Sequence, residues 1–190
     1  YTDTTPEGWW DPKVVLAYSN SEVETPVFTR VESYPVNGET RSFNGKAENK
    51  FALDMGSITA GVDFYNNKAA LDAREDTSHE RASNVGLYAQ ARLEPWERTR
   101  LSFGARGDHQ WFTGTEGSDW SNSGLSGNVS GEYDLVPEFL TAKAGFSHVW
   151  AGIPLPENFI INPNWNYGDG PEPTTADNYT AGLEATWNGF

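Results

Sequence analysis

Any chemistry in this chain of 190 residues must come from a short inventory of side chains. Three histidines, His79, His109 and His148, are the residue type best suited to a metal or haem. His109 and His148 each stand two positions before a tryptophan, Trp111 and Trp150. They therefore read as polar neighbours of an aromatic strand end, whereas His79 falls in a connecting stretch and is free to bind. Carboxylates such as Glu22, Glu24, Glu39, Asp72, Glu75 and Asp76 crowd the connections, but their spacing shows no convergence on one cation. Solvated loop charge is the plainer reading. There is no cysteine, so thiolate ligands, thiol nucleophiles and disulfides are excluded. No Gly-x-Ser-x-Gly elbow and no phosphate-cradling glycine loop occurs. The chain is expected to be no enzyme and to hold no metal or cofactor of its own. What remains is a set of aromatic and amide side chains: Tyr34, Trp120, Trp165 and Tyr167 in connections, with Tyr65, Gln110 and Phe112 at strand rims. Aromatic walls with a few polar groups suit a bulky chelate or a ring-bearing ligand. Packing of the loops on themselves is the alternative.

The elements that would position these residues read as strands. From Ser83 to Glu94, Ser83, Val85, Leu87, Ala89, Ala91 and Leu93 alternate with Asn84, Gly86, Tyr88, Gln90, Arg92 and Glu94. That is period two, the pleat of a strand. After Glu94-Pro95-Trp96-Glu97 a second strand sets Leu101, Phe103, Ala105, Gly107, His109 and Trp111 against Arg98, Arg100, Ser102, Arg106, Asp108 and Gln110. The pattern recurs over Ser123–Asp134, Phe139–Trp150 and Asp177–Trp187, and more weakly over Asp11–Asn20, Phe43–Leu53 and Ser57–Tyr65. Asn49 interrupts one of these apolar faces. The sum is about eight strands. Connections are expected to be short at Asp54–Gly56, Glu94–Glu97 and Asp134–Glu138. They are expected to be long at Ser21–Ser42, Asn66–Arg81, Thr113–Asn122 and Ala151–Thr175. Ala69–Glu75 has the composition of a helical turn and is assigned to a loop.

Composition narrows the setting. Only 37% of residues are hydrophobic while 14% are aromatic, which argues against both a large dry core and disorder. The formal net charge of −14 argues against a nucleic-acid partner. No apolar run is long enough for a membrane helix. The opening Tyr1-Thr2-Asp3-Thr4-Thr5-Pro6 has neither the basic nor the apolar stretch of a signal peptide, so a mature chain or a piece of a longer one is expected.

Two features favour lipid over a protein core. Aromatics gather at strand ends: Trp9, Trp10, Trp96, Tyr133 and Trp187 near short turns, and Phe64, Trp111 and Trp150 near the long connections. Mid-strand positions are smaller. Paired aromatic girdles flanking an apolar band are the mark of an outer-membrane barrel, as are short turns at one end and long loops at the other. The opposite face is charged along its length, as a wet or plugged interior permits. The expected fold is all-β, an antiparallel up-and-down transmembrane β-barrel. A free edge cannot exist in lipid, so the strands either close alone or form an arc of a larger barrel.

The residues also carry a resemblance. Glu80 to Gln90, followed by Leu101-Ser102-Phe103-Gly104-Ala105-Arg106-Gly107-Asp108, resembles paired strands of TonB-dependent outer-membrane receptors. Gly131-Glu132-Tyr133-Asp134-Leu135 with Pro137-Glu138 is similar to the next periplasmic turn of that family. Asn162-Pro163-Asn164-Trp165 resembles its Asn-Pro-Asn-Leu segment, and Ala176 to Glu184 the strand after it. At Trp150-Ala151-Gly152-Ile153-Pro154 the usual Phe-Arg-Ala-Pro arginine is absent. Receptors of this family that take haem often carry a histidine between the segments matched at Ile153-Pro154 and Asn162-Pro163, and here Leu155 to Ile161 holds none.

The resemblance implies an arc of a barrel of about 22 strands, plugged by a separate domain and driven by the TonB energy-coupling protein. It implies import of a siderophore or similar metal chelate across the bacterial outer membrane. Outer-membrane lipid and lipopolysaccharide are the implied surroundings, and Arg98, Arg100, Arg106, Asp108, Glu132 and Lys143 are the implied plug-facing charges. Two rival readings stand beside it. One is a self-contained eight-stranded barrel with a structural or adhesive role, which requires Asp11–Asn20 to pair with Asp177–Trp187. The other is a soluble sheet that binds carbohydrate through its tryptophans.

Overall fold

A computed structural model describes residues 8–28, 33–73, 76–155 and 166–187, with the side chains of 27, 28, 33 and 76 left aside. It consists of eight strands: β1 (Pro12–Phe28), β2 (Ser33–Leu53), β3 (Gly56–Ala73), β4 (Asp76–Trp96), β5 (Thr99–Thr113), β6 (Asp119–Val136), β7 (Leu140–Gly152) and β8 (Thr174–Ala185). They form one sheet in sequence order, every neighbour antiparallel. Among the described residues there is no helix and no pairing of β1 with β8. The sheet is therefore an open arc, and the closure that a self-contained eight-stranded barrel requires is not formed.

The two faces follow the alternation. On the outward face Leu16, Leu87, Leu125 and Leu183 are 64–75% exposed. No protein layer covers them, and so large an apolar surface is tolerated only against lipid or a partner. The soluble-sheet reading, which needs these rows enclosed or scattered, does not fit. The inward face is concave: one hollow of about 560 Å³ is lined from Lys46 and Glu48 on β2 to Ser147 on β7. Asn49, the break in the outward pattern, has a local duty. Its side-chain oxygen accepts from the Asp11 amide at 3.0 Å and its Nδ2 donates to the Trp9 carbonyl at 2.9 Å, fixing the approach to β1.

The short turns lie where the sequence places them. Asp54-Met55 joins β2 to β3, and a Cβ on Gly56, at φ 144°, would stand 2.1 Å from the Arg92 carbonyl oxygen. Arg98 and Glu138 take left-handed φ values of 63° and 62° in the next two turns of that end.

The opposite end differs from expectation in three places. Ser21–Ser42 and Asn66–Arg81 are not long loops, and Thr113–Asn122 shrinks to Gly114–Ser118: β1 and β2 remain paired up to Phe28↔Ser33, β3 and β4 up to Ala73↔Asp76, and β5 and β6 up to Thr113↔Asp119. Ala69–Glu75 is likewise not a helical turn. Its described part, through Ala73, is strand, with Ala69 and Leu71 buried. Ladder hydrogen bonds to β2 and β4 override a weak local helix preference. Third, Trp150 does not join an outward girdle. After His148 the strand leaves its register with β6, the Trp150 amide donates to Ser126 Oγ at 2.9 Å, and the indole lies where a Cβ on Gly124 would be, 2.1 Å from Trp150 Cγ. Gly124 is opposite Asp108 and so belongs to the inner face. The upper end of β7 thus folds across the interior, carrying the chain toward β5.

Candidate functional site

The concave face is organised at three heights. At mid-height Arg106 on β5 reaches across β4 to β3. Its Nη2 donates to Asp63 Oδ1 at 2.7 Å and its Nη1 to the other oxygen, while Nε and Nη2 donate to Asp108 at 2.7 and 2.6 Å. Asp108 also accepts from Asn84 Nδ2 at 2.8 Å. The guanidinium lies 5.9 Å from the Tyr88 ring centre, within cation–π range. The Tyr88 hydroxyl donates to Glu48 at 2.6 Å, and Lys46 completes the row on the other Glu48 oxygen at 2.7 Å. Gly86 makes the crossing possible, since it stands on β4 directly beneath the Arg106 fork.

Toward the short turns a second network forms. Arg100 donates from Nε to Glu132 at 3.0 Å and as a fork to Asp134 at 2.9 and 2.6 Å. Lys143 Nζ lies 3.5 Å from Glu132 and 2.5 Å from Glu184, and Thr141 donates to Asp134 at 2.7 Å. Two reciprocal amides, Gln90 and Asn128, bridge the heights, with Asn128 Nδ2 donating to Gln90 Oε1 at 3.0 Å.

The upper height gathers aromatic groups. Gln110, wholly buried, donates from Nε2 to the Tyr65 hydroxyl at 2.9 Å and to the Ile153 carbonyl at 3.1 Å, and its Oε1 accepts from the Ile153 amide at 2.7 Å. Both backbone groups of Ile153 are thereby clamped. Phe112, Trp120 and Tyr167 pack with centroid separations of 5.1–6.1 Å beside Ala82 and Ile153. The Tyr167 hydroxyl donates to the buried Glu80 carboxylate and accepts from the Thr115 amide at 3.0 Å. Burial first, and then the neighbouring Glu80 carboxylate, raises the Tyr167 hydroxyl pKa above the usual tyrosine range.

The residues singled out from sequence divide accordingly. Tyr65, Gln110, Phe112, Trp120 and Tyr167 come together. Tyr34 lies near the top of β2, opposite Val27, and Trp165 lies outside the described residues. Arg100, Arg106, Asp108, Glu132 and Lys143 all face inward, but each is bonded to its own wall. Arg98 sits in the β4–β5 turn, its carbonyl accepting from the Asp134 amide at 3.0 Å. Sequence reasoning missed Asp63, Tyr88, Glu48, Asn84 and Glu80. The first was legible in principle, because Asp63 occupies the inward parity of a recognised strand, between Val62 and Phe64.

All three histidines take the outward parity: His79 opposite Ala70, His109 opposite Ser123 and His148 opposite Asp177. Among the described residues none faces the interior, and no group of three or more His, Asp and Glu side chains converges as a metal site. The inner wall presents fixed polar groups in which Lys46, Arg100, Arg106 and Lys143 are each paired with carboxylates of the same wall.

This geometry, an open up-and-down arc with an apolar outside and an ion-paired inside, has close parallels. A family model described as TonB dependent receptor-like, beta-barrel, matches residues 1–190. The chain belongs to the TonB-dependent receptor β-barrel family. It is similar to proteins named heme transporter BhuA from Brucella ovis, 30% identical over 99% of the chain, and from Brucella abortus, 29% identical over the same share. The chain spans 30% of the length of these relatives. Among solved structures, the copper transporter OprC superimposes with a TM-score of 0.79 at 17% identity, covering 98% of this chain and 34% of that one. This TonB-dependent receptor segment is thus an arc of a bacterial outer-membrane barrel. The relatives named here are transporters.

Proposed function

We propose that this arc is part of the wall of a receptor that imports a metal chelate, a siderophore or a comparable complex, with TonB supplying the energy. The observation that carries the reading is the pairing of an uncovered apolar outside with a polar inside whose networked cations are each tied to carboxylates of the same wall. Such an interior offers a passage or a plug seat in which Arg100, Arg106 and Lys143 are held to their own wall. Ligand capture falls to the upper end. Trp120 and Tyr167 are half-buried, with Tyr34 at the top of β2 and Trp165 as further contacts, while Gln110, Phe112 and Tyr65 support them from beneath. A plug domain would lie against the concave face, where Arg98, Arg100, Arg106, Asp108, Glu132 and Lys143 form its lining.

Haem is a second reading, favoured by the similarity to proteins named heme transporters. With no inward histidine among the described residues, haem iron would take its ligands from elsewhere in the receptor, or the arc would touch only the porphyrin rim. The deciding experiment is uptake of radiolabelled iron by cells lacking the receptor gene and complemented with it. Iron is supplied as ferric siderophores or as haemin, with and without TonB. TonB-dependent uptake of any of these supports import of a metal chelate; uptake of none, with the receptor present in the outer membrane, contradicts it.

A further inference from the structure

Charge at the upper end of the arc is divided unevenly between the two faces. Above the Arg106 network, Arg41 on β2, Lys68 on β3 and Arg81 on β4 share the outward parity of Phe43, Phe64 and Val85. Lys68 lines an outward hollow with Glu22, Glu24, Glu39 and Asp72, so its charge is answered on that face. Arg30 and Arg74 lie outside the described residues. Beyond Arg106 the sequence holds one cation, Lys143, and Glu132 and Glu184 tie it into the lower network. The upper halves of β5 to β8, and the β5–β6 and β7–β8 connections, therefore contain no lysine or arginine.

Carboxylates stand there instead, set around the aromatic cluster. Glu116 follows Thr115, whose amide donates to the Tyr167 hydroxyl at 3.0 Å. Asp169 lies in the turn closed by the Gly170 amide on the Tyr167 carbonyl at 3.0 Å. That turn packs on Trp120, since a Cβ on Gly170 would stand 2.6 Å from Trp120 Nε1. Glu172 comes two residues later. All three are exposed, and none takes part in an ion pair among the described residues. Behind them Glu80 is buried, and its Oε2 has no hydrogen-bond partner among the described residues. Charges of one sign around a recess concentrate counter-ions and repel like ions over about 8–10 Å at moderate salt. Tryptophan and tyrosine rings add attraction for a positive group.

We propose, resting on the import reading above, that the upper end of this arc selects a positively charged metal chelate and disfavours an anionic one, through the field of Glu116, Asp169 and Glu172 around Trp120 and Tyr167. A cationic complex is drawn toward the rings as it approaches. An anionic one, such as a tris-catecholate or a haem with its two carboxylates, meets repulsion here and finds no cation on the described part of the upper inner wall.

The test uses the full-length receptor and the ferric complex of one linear trihydroxamate whose terminal amine is left free, acetylated or succinylated. The iron centre stays the same while the net charge is positive, neutral or negative. Haemin and a ferric tris-catecholate are the further probes, and binding of radiolabelled iron is measured at low and high salt. The positive complex is expected to bind at least about tenfold more tightly than the negative one at low salt, with the neutral one between and the ratio shrinking as salt rises. Glu116→Gln/Asp169→Asn/Glu172→Gln is expected to bring the ratio below about threefold, whereas Glu97→Gln, at the short-turn end, leaves it as in wild type. Binding of the negative complex, haemin or the tris-catecholate as tightly as the positive complex overturns the proposal and leaves the import reading standing, an arm that needs wild type alone. A ratio unchanged by the triple substitution places the selection outside this arc and overturns it too. Binding of none of the five contradicts the import reading itself and takes the proposal with it.

Discussion

Gly86 on β4 and Arg106 on β5 share one space: a Cβ built on residue 86 would stand 2.1 Å from Arg106 Nη2 and 2.6 Å from Asp108 Oδ1. The guanidinium crosses β4 to Asp63 only because that strand carries no side chain there. Gly86→Ala is expected to push Arg106 off both carboxylates and to destabilise the folded receptor by about 1–3 kcal/mol. Gly107→Ala is the control. Its Cβ would meet Leu125 at an ordinary 3.5 Å, and the denaturation midpoint should barely move.

Arg106→Met removes the one cation shared by Asp63 and Asp108. Asp108 is 4% exposed and is left with Asn84 alone, whereas Asp63 can rehydrate. With Arg106 itself a third exposed, solvent screening limits the loss to about 1–2 kcal/mol. Arg100→Met, in the more open lower network, should cost less. Urea unfolding of the two variants side by side checks the order.

The same network shows what the sequence could and could not reveal. Where one face of a strand meets lipid and the other meets the interior, alternation is strong, and Val85 to Leu93 and Leu101 to Trp111 were readable residue by residue. Beyond the membrane both faces meet water. The upper parts of β1 to β4, such as Glu22-Val23-Glu24 and Lys68 to Asp72, therefore lost their period and resembled loops. Partners separated by two strands, such as Arg106 and Asp63, need the register as well as the parity. The inward turn of Trp150 depends on a break in pairing after His148 that no local pattern announces. In the upper cluster five of the seven residues chosen from sequence did come together. Their burial, and the clamp on Ile153, came from tertiary packing.

Gln110 holds the start of the β7–β8 connection. In Gln110→Ala the buried amide and carbonyl of Ile153 lose their side-chain partners, at a cost of about 1–3 kcal/mol. Hydrogen exchange at the Ile153 amide should accelerate, while amides in the β2–β3 ladder remain protected.

Tyr167 titrates late. Its folded pKa is raised, so its contribution to stability is fully present below the unfolded value of about 10 and is lost only as the pH rises through the higher folded value. In the ultraviolet titration of the receptor, Tyr167→Phe should remove one tyrosine that ionises after the exposed ones. Loss of an early-ionising tyrosine instead would contradict the Glu80 contact.

The most direct test of the account is which face meets lipid. The segment has no cysteine, so nitroxide labels can be placed at Leu87→Cys, Leu125→Cys and Leu183→Cys on one face, and at Tyr88→Cys, Ser126→Cys and Glu184→Cys on the other, in the full-length receptor reconstituted in bilayers. The account predicts that the three leucine positions are relaxed by oxygen dissolved in the bilayer and shielded from a water-soluble nickel chelate, with their neighbours showing the reverse. Equal accessibility at both sets, or chelate access at Leu87 and Leu125, would contradict it.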